Sequence, residues 1–211
     1  MATRIFFKCS CEGKIIEEEI SFQFSPGFSV TQKQKSICSF HNEIKKIFPE
    51  SNILEISSKS PPKIGRELSA FNLMKKVNGR SVPVENIFQS SKQFSCGGPY
   101  SDLLYKSPWE AKKDKRLYSS GSLIAFSFDE KTYPLEPQTA FYDWIYCNAI
   151  KENSSLICNL MAYDIFTDIE FNHKKSINCQ ARSAAIFVSL FKQKKLDTAL
   201  LDFETFKKSV Y

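Results

Sequence analysis

Two β-prone runs open the chain: Arg4 to Cys11 and Glu17 to Phe24, on either side of Glu12-Gly-Lys14. In the second, Glu18, Ile20, Phe22 and Phe24 alternate loosely with Glu17, Glu19, Ser21 and Gln23, so the pair predicts a β-hairpin. Ser25-Pro-Gly-Phe28 breaks it. Ile37, Cys38, Ile44, Ile47 and Phe48 then recur at helical spacing, which predicts a helix from a Thr31 cap to Phe48, ended by Pro49. Asn52 to Ser57 reads as a short strand.

Ser58-Lys-Ser-Pro-Pro-Lys-Ile-Gly65 is a turn-rich connector and the one plausible domain boundary. A single hairpin and helix bury too little apolar surface to stand alone, so residues 1–60 are expected to dock on a main domain of residues 61–211. Within that domain Leu73 to Lys76 and Arg80 to Val84 flank Asn78-Gly79, a strong signal for a second hairpin. Ser122 to Asp129 alternates as a strand should. Helices are expected through Ile150, over Asn153 to Asp164, from about Ser176 to Lys195, and in the tail from Asp197 to Tyr211.

Candidate chemistry concentrates in Val82 to Phe94. Pro83 leads into a helix that must stop before Gly97-Gly-Pro99, and Glu85, Gln89 and Lys92 fall on one side of it. Glu85 and Lys92 are two turns apart, roughly 10 Å, which leaves room for a ligand between them. The same spacing also suits a plain solvent-facing polar stripe. Gly97-Gly98 offers a backbone able to approach a phosphate or a base, though a simple turn fits as well. Ser107, Pro108 and Glu110 form a capping-box start for the next helix. Asp168 and Glu170 share one side of an extended segment, while Asn178 and Arg182 lie one turn apart where a helix N-terminus favours anions.

Composition narrows the class. At 211 residues and 42% hydrophobic, with 19 Phe, the chain can bury a full core. No run of about 18 apolar residues occurs, and the N-terminus lacks a secretion signal, so a cytoplasmic protein with no membrane partner is expected. Seven scattered cysteines without a CxxC read as free thiols, and two histidines exclude a histidine-rich metal centre. A net charge of +6, nearly all of it beyond residue 60, permits a phosphate-bearing partner without requiring one.

Pro83, Glu85, Phe88, Gln89 and Lys92, followed by Ser107-Pro-Trp-Glu-Ala-Lys112, resemble the pattern of the NADAR family, named for NAD and ADP-ribose. Leu68-Ser-Ala-Phe-Asn72 resembles the segment that opens such a domain, with Ala70 in place of the usual Asn. Gly97 to Tyr100, Glu136 to Trp144, Phe166 to Asn172 and Ser176 to Ser183 look closest to the antitoxin branch that accompanies guanine-specific DNA ADP-ribosyltransferase toxins. The expected fold class is α+β: a mainly helical NADAR-like domain with small β-sheets or hairpins, plus the N-terminal hairpin-and-helix extension.

The resemblance implies an enzyme that removes ADP-ribose from guanine in DNA. Lys92 would be the nucleophile, Glu85 its acid/base or positioning partner and Asp168 a second carboxylate. Substrate contacts are expected from Ser69, Phe71, Asn72, Phe88, Gln89, Gly97, Gly98, Tyr100, Trp109, Asn178 and Arg182, with no metal and no cofactor. The expected partners are ADP-ribosylated DNA, single-stranded because a base must leave the stack to react, and a cognate ADP-ribosyltransferase toxin. A small-molecule N-glycosidase of phosphorylated riboflavin-pathway intermediates and a non-catalytic reader of ADP-ribosylated nucleic acid remain open beside it.

Overall fold

The computed structural model describes residues 1–211. Strands β1 (Ala2–Cys9) and β2 (Ile15–Phe22) form the N-terminal hairpin, helix α1 (Val30–Ile47) follows, then β3 (Ile53–Glu55) and α2 (Lys63–Glu67). A second hairpin, β4 (Met74–Val77) and β5 (Arg80–Pro83), feeds α3 (Val84–Ser90), and the chain re-extends as β6 (Lys92–Phe94). After short α4 (Pro108–Lys112) and α5 (Arg116–Ser119), β7 (Leu123–Phe128) and β8 (Lys131–Tyr133) complete a three-stranded sheet with β6. Helices α6 (Ala140–Glu152) and α7 (Ser154–Leu160), strand β9 (Ile165–Thr167), and helices α8 (Gln180–Lys192), α9 (Leu196–Ala199) and α10 (Phe203–Val210) finish it.

The chain is mixed, 42% helical and 20% strand, which corrects the expectation of a mainly helical domain. The largest sheet explains the difference. Its order is β2-β1-β9-β3, so β9, from late in the chain, lies antiparallel to β1 and parallel to β3. A strand of three residues has little periodicity of its own; its partners, far away in sequence, define it.

Each face of this sheet carries a core layer, while most of its edge strand β2 stays exposed. Ile37, Phe40 and Ile44 of α1 pack with Phe6, Phe22, Ile165 and Ile169 on one face, where the Phe22 and Phe40 rings stack at 4.8 Å. On the other face Phe7, Leu54 and Phe166 join the main core with α6 and α8. Each fully buried Phe contributes about 1.5–3 kcal/mol. Alternation along β9 therefore sends Phe166 to one layer and its two neighbours to the other, and the residue that follows, Asp168, emerges at the sheet's end. No helix is long and apolar enough to cross a membrane.

Candidate functional site

Every residue of α3 is buried, so its polar side chains are held in the interior and not in solvent. Glu85 N–H donates to the Ala70 carbonyl at 2.9 Å, which ties the helix start to the Ser69–Phe71 segment. One turn on, Gln89 Nε2 donates to Glu85 Oε1 at 2.8 Å, and Lys112 Nζ from α4 approaches the same oxygen at 3.5 Å. The Gln89 side-chain oxygen is buried without a partner.

The helix ends earlier than its pattern predicts. Ser90 and Ser91 both turn their hydroxyls onto the Ile87 carbonyl, at 3.0 and 2.7 Å, and the chain leaves as β6 with Lys92 opposite Phe126. Lys92 is therefore a strand residue, not a member of the helical face. Its amine sits 4.8 Å from the centre of the Phe88 ring. Burial pulls its pKa down to about 8; the negative charge of Glu85 opposes the shift and the positive charge of Lys112 adds to it.

Across the cleft, Asp168 Oδ1 accepts the backbone N–H groups of Glu170 at 2.9 Å and Phe171 at 3.2 Å. Behind it lies Glu55, fully enclosed, which accepts from Thr167 Oγ1 at 2.7 Å and from Ile169 N at 2.9 Å. Burial drives both carboxyls up, and the charge of Glu55 raises Asp168 further. His41 Nε2 is 2.8 Å from Thr167 Oγ1. Because that hydroxyl donates to Glu55, the ring must donate to it, which fixes the tautomer; burial lowers the His41 pKa to about 4 and keeps it neutral. Gln180 closes the wall, accepting from Ala70 N and donating to the Ile56 carbonyl, each at 2.8 Å.

These elements enclose a cleft of about 910 Å³. Eight of the expected residues line it: Ser69, Phe71, Glu85, Phe88, Gln89, Trp109, Asp168 and Asn178. Lys92 lies behind the lining against Phe88, which does line it. The others have different surroundings. Asn72 Nδ2 donates to the Arg66 carbonyl at 2.8 Å. Tyr100 hydrogen-bonds Ser120 and lies 4.4 Å under the Arg116 guanidinium. Gly97 accepts from Phe94 N at 2.7 Å, and Gly98 has φ 78° with its α-carbon packed so tightly that an added Cβ would lie 2.4 Å from the Lys92 carbonyl oxygen. Arg182 is committed to buried Asp143 at 2.5 Å and to Glu17 at 3.3 Å.

Among the lining and supporting residues outside the expected site set, Lys112, Gln180 and Glu55 make the polar contacts described above. Lys112 stood in the quoted Glu-Ala-Lys segment and Gln180 in the quoted Ser176 to Ser183 segment, but neither carried a role. Glu55 had a signal available: a lone carboxylate within Ile53-Leu-Glu-Ile56 must be buried with partners or break the strand.

Carboxylates and lysines from separate elements, converging with amides and aromatic rings around one deep cleft, define an α+β protein with a polar cleft of ligand size. The chain belongs to the NADAR-DarT1 family, the DarT1-associated NADAR antitoxins, whose family model matches residues 2–211. That family is associated with N-glycosidase activity and implies a DarT toxin as the partner. No curated protein matches the chain.

Proposed function

We propose that this antitoxin hydrolyses the bond between the ribose C1″ of ADP-ribose and the amino nitrogen of guanine in DNA, undoing the modification a DarT toxin makes. The observation that carries this reading is Lys92, a half-buried amine with its pKa lowered to about 8, standing 4.8 Å from the Phe88 ring at the edge of a cleft of nucleotide size that Phe88 and Glu85 line. Lys92 loses its ammonium proton to solvent, which a pKa of about 8 allows, and its neutral Nζ attacks C1″. The C1″–guanine nitrogen bond breaks as the nitrogen takes a proton from Asp168, whose raised pKa supplies one near neutral pH. The ribose ring of the lysine adduct opens to an imine; water adds to it, frees ADP-ribose and restores the lysine. No metal and no cofactor enter this sequence. Phe88 and Trp109 are suited to flank the base, and Gln89, Ser69 and Asn178 to hydrogen-bond the sugar and phosphates.

The test is release of ADP-ribose from a single-stranded oligonucleotide bearing one ADP-ribosylated guanine, with cyanoborohydride present to reduce the imine. Wild type should release ADP-ribose and acquire a covalent ADP-ribosyl adduct that peptide mapping assigns to Lys92 and not Lys112. Lys92→Arg should do neither, since a guanidinium is always protonated. Full activity in Lys92→Arg would sink the covalent route.

A further inference from the structure

Three parts of the chain far apart in sequence bring large apolar side chains to the mouth of the cleft. Phe28, on the loop before α1, is 95% exposed; Ile177, before α8, is 60% exposed; Trp109, in the first turn of α4, is 58% exposed. Single exposed apolar residues are ordinary, but three around one opening are not scattered. Lysines stand among them: Lys33, Lys59 and Lys112 line the same opening, and the Lys113 amine lies 3.9 Å over the Trp109 ring. The carboxylates Glu85 and Asp168 are buried deeper in the same cleft.

Cations and rings thus outnumber carboxylates at the rim, where the one exposed carboxylate, Glu170, is paired with Lys33 at 3.2 Å, while Glu85 and Asp168 lie within. A phosphate backbone is attracted to the rim and repelled from the floor, while a base carrying its modification can pass inward. Aromatic faces interleaved with lysines are the arrangement that grips unpaired nucleotides, because every base has a π-face and every linkage a charge.

Resting on the function proposed above, we infer that the rim formed by Phe28, Lys59 and Trp109 binds the nucleotides on either side of the modified base in a single DNA strand. Phe28 stacks a neighbouring base and Lys59 neutralises a phosphate, so affinity depends on the strand as well as on ADP-ribose. A duplex offers neither free base faces nor a base ready to enter.

The experiment separates the rim from the chemistry by using an unmodified probe: a short fluorescein-labelled oligothymidine strand, titrated with full-length protein and followed by fluorescence anisotropy. Wild type should bind it more tightly than the same strand annealed to its complement. Phe28→Ala, at a side chain too exposed to support the fold, should weaken binding roughly ten-fold. Lys59→Ala should flatten the slope of log affinity against log salt by about 0.7, the value for one phosphate contact on a single strand. On modified substrates, the ratio of ADP-ribose release from an oligonucleotide to release from the isolated modified nucleoside should fall in both variants. Equal binding by wild type and both variants, or no preference for single strands, overturns the rim proposal. Strand binding without ADP-ribose release leaves the rim standing and overturns the glycosidase reading instead.

Discussion

Glu85 and Lys112, paired with each other at 3.5 Å, act on Lys92 in opposite senses. Desolvation in its half-buried position holds Lys92 near a pKa of about 8, with Glu85 raising the value and Lys112 lowering it. Because the reaction needs Lys92 neutral and Asp168 protonated, each with a pKa of about 8, activity should trace a bell around pH 8 whose rising limb belongs to Lys92. Two substitutions should move that rise in opposite directions. Glu85→Gln removes the charge that favours the ammonium, so the rise shifts to lower pH even as the maximal rate falls; Lys112→Ala removes a competing cation, so the rise shifts to higher pH. Rates of ADP-ribose release measured from pH 6 to 10 in the two variants check this, and a shared direction would mean the rise belongs to another group.

At the scale of elements, β6 is what carries Lys92, and the glycine turn after it fixes how β6 lies. Gly98→Ala would need a left-handed φ at a residue with a side chain and would drive a Cβ onto the Lys92 carbonyl. The expected result is a loss of about 1–3 kcal/mol in urea denaturation, together with reduced ADP-ribose release. Local pattern made part of this level legible. The hairpins around Gly13 and Asn78-Gly79, the amphipathic α1, the Ser107 capping box and the Ala-rich α8 each follow from neighbours within a few residues. The end of α3 and the pairing of β9 did not, because β7 and β1 supply the hydrogen bonds that settle them. Lys92 was chosen for its place on a helix it does not join, while Glu85 and Gln89 do share one turn of α3, bonded to each other. Glu55 went unnoticed because the carboxyl it sits behind comes from the other end of the chain.

Across the whole molecule, Arg182 illustrates how a plausible anion binder becomes a structural tie. It joins Asp143 of α6 to Glu17 of β2, and the Tyr211 hydroxyl donates to the same Asp143 oxygen at 2.6 Å. Arg182→Met should leave Asp143 buried with its charge unmatched, costing about 3 kcal/mol. For a chain of this size that is a fall of roughly 6–12 °C in Tm, and thermal unfolding beside steady-state kinetics should locate the loss in stability and not in KM.

The insertion of β9 between β1 and β3 also sets an order of events during synthesis. Thr167 must find Glu55 across a separation of 112 residues before the floor of the cleft exists. A ribosome has therefore released most of the chain before Asp168 has a wall to stand in, and pairing over such a distance is slow to form. An unfinished chain therefore lacks the floor of the cleft, and the site becomes whole only when translation is nearly done.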